Sequence, residues 1–306
     1  MDKKVSVVMS IYSEPISWIE KSIRSILNQS FKNIEFVIII DNPNDLELID
    51  YVESLKKQDN RVVVIRNDSN IGLGNSLNKG IQEASGDYIA RMDADDISMS
   101  NRIEEEVKFL EKNKLDLVAT NIMDMDMSGE LTGKGTNYPA TNNKIKKYLK
   151  YGSCLPHPTW LGRRSLFLEN PYSPLRACQD YELVARLAQR GYKLGVISEP
   201  LLYYRLNNNS ISSRKKVFQK TVSFYVRDCY KNKREISFSD LESFLQSSEG
   251  KKKTASLEQY YSRVSKLKDL YKGKKYPNFL FRGICLFFQS KEARDVLKEI
   301  FVTRFI

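Results

Sequence analysis

Three short polar clusters in the first hundred residues carry side chains that could bind a polar ligand. Each follows a predicted strand, and they are Tyr12-Ser13-Glu14, Asp41–Asp45 and Asp93-Ala94-Asp95-Asp96. Carboxylates that alternate across one residue of extended chain can both turn toward a hard cation, and Mg²⁺ or Mn²⁺ prefers such oxygens together with phosphate oxygens. The third cluster therefore predicts a site for a divalent cation and a diphosphate. Its alternative interpretation is a helix cap, because aspartates also favour the start of a helix.

The elements that must position these clusters alternate between strands and helices. The predicted strands are Val5–Ile11, Glu35–Ile40, Val62–Arg66, Tyr88–Met92 and Leu117–Thr120. The predicted helices are Ile16–Asn28, Leu46–Gln58, Gly74–Ala84 and Asn101–Asn113. Strands separated by helices of this length indicate βαβ crossovers and a mostly parallel sheet. Ligands of such sheets bind at the carboxyl ends of the strands, so the three clusters are expected at one edge.

Composition restricts the class of protein. The chain has 306 residues, of which 41% are hydrophobic and 28% charged, so it is long and apolar enough to form a core. No apolar run reaches the length of about 18 residues that a transmembrane helix needs, and the N-terminus lacks the pattern of a signal peptide. The four cysteines are far apart, which argues against a zinc site or a disulfide scaffold. These features predict a cytoplasmic protein.

The net charge of +11 lies in the last third of the chain. Residues 1–206 carry 27 lysines and arginines against 28 aspartates and glutamates, whereas residues 207–306 carry 22 against 10. Apolar residues recur at helical spacing from Leu257 to Tyr271, and the apolar segment Phe279–Phe288 follows. The pattern predicts either an attachment to an anionic membrane surface or a helical subdomain that packs its aromatic residues on the sheet.

Several blocks of this sequence resemble the family 2 glycosyltransferases, which have a GT-A fold. The blocks are Val5–Tyr12, Asn70–Ile81, Ala84–Asp96, Gly152–Arg164, Gln179–Leu183 and Tyr203–Arg205. The resemblance implies a Rossmann-like α/β catalytic domain over residues 1–212, with a mostly parallel central sheet flanked by helices. Its nucleotide-sugar half would extend to about residue 120 and its acceptor half over 121–212. Residues 213–306 would form a basic helical C-terminal region outside the resemblance.

The resemblance also assigns roles to individual residues. It implies nucleotide contacts from Tyr12, Glu14, Asp41, Asn70, Lys79 and Asp93. Within that set Asp41 would read the uracil ring, although a solvated turn aspartate is the alternative interpretation. Asp95 and Asp93 would hold Mn²⁺ or Mg²⁺ at the diphosphate. Asp180 would be the general base of an inverting transfer, with a helix N-cap as its alternative role.

Four further residues are candidates for contact with the acceptor or the diphosphate, and they are His157, Trp160, Gln179 and Arg205. His157 is bracketed by prolines and is the sole histidine, but an ordinary packed histidine is the alternative. Trp160 could stack on a sugar ring, although a core tryptophan is the default. Gln179 occupies the position at which the family commonly has a glutamate.

The resemblance implies an inverting, metal-dependent enzyme that moves one sugar from a UDP-sugar, or alternatively a dTDP-sugar, to a glycan. The expected acceptor is a lipid-linked oligosaccharide of bacterial capsule or cell-wall type. The absence of a QxxRW motif favours a single addition. The basic C-terminal region would hold the enzyme at the cytoplasmic face of the membrane, or pair with a second subunit as a homodimer. The alternatives are a sugar nucleotidyltransferase and a nucleic-acid-binding protein, though no motif predicts specific nucleic-acid binding.

Overall fold

The described residues of this computed structural model, 3–175, 177–207, 216–272 and 294, form an α/β fold. The strands are β1 (Val5–Ile11), β2 (Ile34–Ile40), β3 (Val62–Arg66), β4 (Tyr88–Asp93), β5 (Ile97–Ser98), β6 (Leu117–Met125), β7 (Leu131–Gly135), β8 (Leu161–Arg163) and β9 (Leu194–Arg205). In the described part of the chain they form one sheet in the order β3-β2-β1-β4-β8-β6-β9-β5, and β7 pairs with β6. The predicted α/β class is confirmed.

The helices follow the predicted pattern through the first 120 residues. They are α1 (Ile16–Leu27), α2 (Leu46–Gln58), α3 (Leu73–Glu83), α4 (Arg102–Lys112), α5 (Asn142–Tyr148), α6 (Arg164–Glu169), α7 (Gln179–Gln189), α8 (Lys216–Lys231), α9 (Phe238–Gln246) and α10 (Ser248–Lys272), with a short 3₁₀ helix at His157–Thr159. Predicted and observed ends differ by at most one residue in this part, except that β6 continues past Thr120 to Met125.

The first four strands form a parallel sheet covered on both faces. β1 pairs in parallel with β2 and β4, and β2 pairs in parallel with β3. Successive side chains of β1 enter opposite cores, since Val7 and Met9 belong to one apolar cluster and Val8 to the other. Burial on both faces explains why these strands are nearly continuous apolar runs.

The second half of the sheet returns the chain to the carboxyl end of β4. β8 pairs antiparallel with both β4 and β6, while β6 and β9 are parallel. The two-residue strand β5 pairs antiparallel with β9, opposing Ile97 to Tyr203. This pairing places the end of β9 beside the loop that follows β4.

Gly80 allows α3 to lie directly on the sheet. A Cβ atom at this position would come within 2.6 Å of Ile39 and 2.8 Å of Val8, closer than side chains pack. The close approach fixes the start of α3 near the carboxyl end of β2. The loop before α3 therefore reaches Asp41.

The helices after residue 215 pack on one another and on α7. Phe224 of α8 and Leu257 of α10 are fully buried and share a small apolar cluster with Tyr260. The predicted helix from Leu257 onward is thus present, whereas the segment Phe279–Phe288 lies outside the described residues. Within the described residues, every helix is too short or too polar to cross a bilayer.

Candidate active site

Three carboxylates meet in the turn between β4 and β5, which we call the acidic loop (Asp93–Asp96). One oxygen from each of Asp93, Asp95 and Asp96 lies within 4.8 Å of the others. Ala94 is buried in the core, whereas Asp93 and Asp95 on either side of it are partly exposed. The helix that follows is preceded by Asn101, so the interpretation of these aspartates as a helix cap is wrong.

Arg205 holds the acidic loop from behind. Its backbone N–H donates to Asp96 Oδ1 at 2.8 Å, and its Nε donates to the carbonyl of Asp95 at 2.8 Å. Its guanidinium stacks on Trp18 at 4.6 Å and also donates to carbonyl oxygens at the start of the β6–β7 hairpin. The side chain is 2% exposed and supports the acidic loop through these contacts, and a contact of Arg205 with acceptor or diphosphate stays a prediction.

Arg91 is a buried cation within the site that the sequence analysis did not identify. Its guanidinium pairs with Asp93, and its Nε has no hydrogen-bond partner in the part of the chain that the structure describes. The backbone N–H donates to the carbonyl of Trp160 at 2.7 Å, which anchors β4 to the chain before β8. The sequence could have predicted this ion pair, because Arg91 and Asp93 are two residues apart on one strand and must share a face.

Negative charge exceeds positive charge at the acidic loop. Burial, and then the charges of Asp93 and Glu14, raise the pKa of Asp95 to about 7. Burial and the neighbouring aspartates also raise the pKa of Asp96. Glu14 lies close enough that Asp93 adds to the effect of burial in raising its pKa. The site therefore retains protons that a cation would displace.

The residues present fit a divalent cation. Asp96 Oδ2 is buried and has no hydrogen-bond partner among the described residues, which is costly for an acceptor unless another group satisfies it. Carboxylate oxygens are the ligands that Mg²⁺ and Mn²⁺ prefer. Asp93 and Asp95, the two predicted metal ligands, therefore lie in a suitable donor set with Asp96 as a neighbour.

The loop after β1 lies near the acidic loop, since the charge of Asp93 affects Glu14. Glu14 Oε2 accepts the backbone N–H groups of Tyr12 and Ser13 at 2.8 and 3.1 Å. This arrangement closes a tight turn and leaves the Tyr12 ring 45% exposed. Tyr12 is therefore available to a ligand, while Glu14 shapes the loop.

Asp41 binds the loop that precedes α3. Its carboxylate accepts from Asn67 Nδ2 at 2.8 Å and from the backbone N–H groups of Ile71 and Gly72 at 2.9 and 3.0 Å. The side chain is buried, so the interpretation of Asp41 as a solvated turn residue is wrong. A direct contact of Asp41 with a uracil ring stays a prediction.

The two other predicted nucleotide contacts lie next to this loop. Lys79 Nζ donates to Asn67 Oδ1 at 2.9 Å and to the carbonyl of Arg66 at 3.1 Å. Asn70 is exposed one residue before Ile71. Asn67, which joins Asp41 to Lys79, was missed because its partners are distant in sequence.

Asp180 occupies the first turn of α7, with Cys178 as the residue that precedes the helix. Cys178 adopts a left-handed backbone conformation with φ of 65°, which a non-glycine residue rarely adopts. Burial raises the pKa of Asp180, and the charges of Arg91 and Asp93 act on the same carboxyl. Asp180 is therefore close enough to Arg91 and Asp93 for both charges to affect it. Its neighbour Gln179 donates to the carbonyl of Leu175 and supports this turn.

His157 is the centre of a packed aromatic group. Its Nε2 is 2.8 Å from the hydroxyl of Tyr172, and its ring meets Trp160 edge-on at 4.6 Å. Burial, and then the charge of Arg91, lower the pKa of His157, so the imidazole is neutral at pH 7. Trp160 is fully buried and its Nε1 donates to the carbonyl of Leu155, so stacking on a sugar is corrected to a core role.

Comparison with known proteins agrees with this arrangement. A family model described as Glycosyl transferase family 2 matches residues 6–169, which is more than half of the chain. The chain belongs to glycosyltransferase family 2. Within this family, an uncharacterized glycosyltransferase of Methanocaldococcus jannaschii is 35% identical over 242 residues, covering 77% of this chain and 83% of the relative. The O-antigen biosynthesis glycosyltransferase WbnJ of Escherichia coli is 29% identical over 238 residues, covering 76% of this chain and 92% of WbnJ.

A solved structure shows the fold of this family 2 glycosyltransferase independently. TarS residues 1–349 of S. aureus, crystallised in complex with UDP, superpose with a TM-score of 0.57 at 16% identity. The match covers 78% of this chain and 68% of the TarS fragment. The GT-A fold predicted from the resemblance is confirmed, and the chain is a glycosyltransferase enzyme.

Proposed function

We propose that this glycosyltransferase transfers a single sugar from a UDP-sugar to a glycan acceptor, with inversion at the anomeric carbon and with Mn²⁺ or Mg²⁺ bound. The observation that carries the proposal is the acidic loop, where three carboxylates converge without enough positive charge to balance them. A UDP donor is supported by the UDP-bound TarS neighbour, whose fold this chain shares. Membership of the glycosyltransferase family favours this function over the two alternatives, a sugar nucleotidyltransferase and a nucleic-acid-binding protein.

Each group in the proposed site has a chemical task. Asp93 and Asp95 would hold the divalent cation, which when bound neutralises charge that develops on the leaving diphosphate. Asp180 would take the proton of the acceptor hydroxyl, and its raised pKa makes it a stronger base than an exposed aspartate. Arg91 orients Asp93 through their ion pair.

The nucleotide would lie against the loops that follow β1 and β2. Tyr12 offers an exposed ring, and Asn70 an exposed amide, on either side of the buried Asp41. Asp41 and Lys79 would act mainly by fixing the Asn67–Gly72 loop, since both are already hydrogen-bonded to it. A uracil or thymine ring could occupy this position, and the donor test below separates UDP-sugars from dTDP-sugars.

The acceptor is proposed to be a lipid-linked glycan of a bacterial surface polysaccharide. WbnJ, whose name assigns it to O-antigen biosynthesis, supports a polysaccharide acceptor. The excess of lysine and arginine after residue 206 supports attachment to an anionic membrane surface, with the enzyme peripheral on the cytoplasmic face. The catalytic domain over 1–212 and a basic region over 213–306 remain part of this proposal, as does a homodimer through the basic region.

The test is a donor screen with UDP-sugars and dTDP-sugars, followed by analysis of one matched pair of variants. We expect release of UDP from one UDP-sugar in the presence of an acceptor glycan, and a product whose anomeric configuration, measured by NMR, is opposite to that of the donor. Asp180→Asn should lower kcat by about 100-fold or more while UDP binding is retained. Asp50→Asn, an exposed aspartate of α2, is the control. Retention of configuration, or full activity of Asp180→Asn, would contradict the proposed mechanism.

A further inference from the structure

A second basic region lies inside the part of the chain whose total charge is close to neutral. Residues 131–168 contain no aspartate or glutamate, although they include lysines at five positions and arginines at two. Three of the lysines, Lys144, Lys147 and Lys150, are exposed on α5 and the turn after it. Charge therefore accumulates on one short helix of the catalytic fold.

The end of α8 extends this basic region. The Tyr230 hydroxyl donates to the carbonyl of Lys146 at 3.2 Å, which fixes α8 against α5. The ammonium of Lys231 lies 4.9 Å from the centre of the Tyr151 ring. Lys231 and Lys233 are both exposed at this end of α8. The nearby Asp228 is engaged by Arg234 and Asn232. We call the five exposed lysines, 144, 147, 150, 231 and 233, the lysine surface.

The lysine surface adjoins the helix that carries the proposed base. The Tyr181 hydroxyl, one residue after Asp180, donates to the carbonyl of Leu149 at 2.5 Å. Tyr148 of α5 also meets Tyr138 edge-on at 5.7 Å. A planar anionic partner on the lysine surface would consequently lie on the acceptor side of the site.

We propose that the lysine surface contacts the anionic headgroups of a phospholipid bilayer and turns the part of the site that contains Asp180 toward it. The five cations come from two segments, α5 with the turn after it and the end of α8 with the residues after it, which the Tyr230 and Lys231 contacts hold together. Lysine ammonium groups are compact and strongly hydrated, which suits diffuse headgroup phosphates, whereas defined phosphate recognition favours arginine. The functional consequence, presentation of the site to a lipid-linked acceptor, rests on the proposed function.

The experiment measures binding of the full-length chain to vesicles by flotation. The vesicles contain phosphatidylcholine with or without phosphatidylserine, and no acceptor glycan. The test variant is K144Q/K147Q/K150Q, and the matched control is K56Q/K57Q/K112Q, which removes the same charge from exposed positions on α2 and α4. Thermal melting and UDP binding check that each variant is folded.

We expect binding that requires phosphatidylserine and that falls about fivefold for each lysine removed, or roughly 100-fold for the test variant. The control should bind within about threefold of wild type, and the triple Lys→Arg variant of the same positions should restore binding. Equal vesicle affinity of the test variant and wild type would overturn the proposal. Equal losses of vesicle binding in both glutamine variants would overturn it as well. Binding of an RNA oligonucleotide is measured in parallel, and a test variant that loses RNA binding but keeps vesicle binding would also overturn the proposal.

These outcomes are distinct from those of the glycosyl-transfer test. Vesicle binding is measured without donor or acceptor, so it can fail while transfer to a water-soluble glycan succeeds. Conversely, a chain that transfers no sugar can still bind anionic vesicles through these lysines. The full-length variant K274Q/K275Q/R282Q separates the lysine surface from the basic residues that follow Lys272, because wild-type-like binding of this variant assigns the contact to the lysine surface.

Discussion

Replacing Asp95 by asparagine is expected to stabilise the metal-free protein while removing the proposed metal site. Burial and the charges of Asp93 and Glu14 raise the pKa of Asp95 from 3.8 to about 7. An acid whose pKa is raised on folding takes up a proton as the chain folds between these two pH values. The free energy of unfolding therefore falls as the pH rises from about 4 to about 7, and stays at the lower level above it.

The magnitude follows from the size of the pKa change. A pKa that moves from 3.8 to about 7 corresponds to about 4 kcal/mol. Water screens part of this effect because the side chain is partly exposed, so we expect about 2 kcal/mol. Asp95→Asn should then raise the melting temperature at pH 8 by about 4 °C and leave it nearly unchanged at pH 4.

The assay is thermal unfolding in EDTA at several pH values between 4 and 8, for wild type, Asp95→Asn and the exposed control Asp50→Asn. Added Mn²⁺ should raise the melting temperature of wild type and of the control at pH 8, and should leave Asp95→Asn unchanged. An asparagine variant that is less stable than wild type at pH 8 would refute the reasoning. A variant whose stability fell with pH as steeply as that of wild type would refute it as well.

Three further predictions concern residues that shape the site. Because Cys178 has φ of 65°, Cys178→Gly should preserve stability or raise it by up to about 1 kcal/mol, whereas Cys178→Val should lower it. Thermal melting measures both variants, and a valine variant more stable than the glycine variant would contradict this reasoning. Asp41→Asn places an amide donor against backbone N–H groups, so we expect a loss of about 1–3 kcal/mol and weaker UDP binding in calorimetry; an unchanged melting temperature would contradict this. His157→Phe should lower stability by about 1 kcal/mol because the hydrogen bond with Tyr172 is lost. The pH–activity profile between 6 and 7.5 should stay unchanged, because the imidazole is already neutral in this range. A shifted profile would contradict the neutral state of His157.

The sequence predicted the elements best where one physical rule dominates. β1 and α2 begin and end at the predicted residues, since a strand buried on both faces is a continuous apolar run and an amphipathic helix has a clear period. The acidic loop was also predictable, because Asp93 and Asp95 alternate at the end of a strand. The short strands β5 and β8 were missed, since two or three residues carry no detectable period.

Residues whose roles depend on distant partners could not be assigned from the sequence. Arg205 was expected at the ligand, but β5–β9 pairing places it behind Asp95 and Asp96, more than a hundred positions earlier. Trp160 was a candidate because a tryptophan ring can stack on a sugar. Its burial depends on the packing of His157 and Leu155 around it, which the sequence does not show. Arg91 lies within the block Ala84–Asp96, but its ion pair with Asp93 and its charge effect on Asp180 depend on the folded arrangement.

Calorimetric titration of UDP in the presence of Mn²⁺, and then of EDTA, tests the central claim most directly. The proposed site predicts binding of UDP to wild type and to Asp50→Asn only when Mn²⁺ is present, and no binding to Asp95→Asn in either condition. UDP that binds equally well in EDTA, or that binds Asp95→Asn as tightly as wild type, would contradict a metal-dependent nucleotide site at the acidic loop.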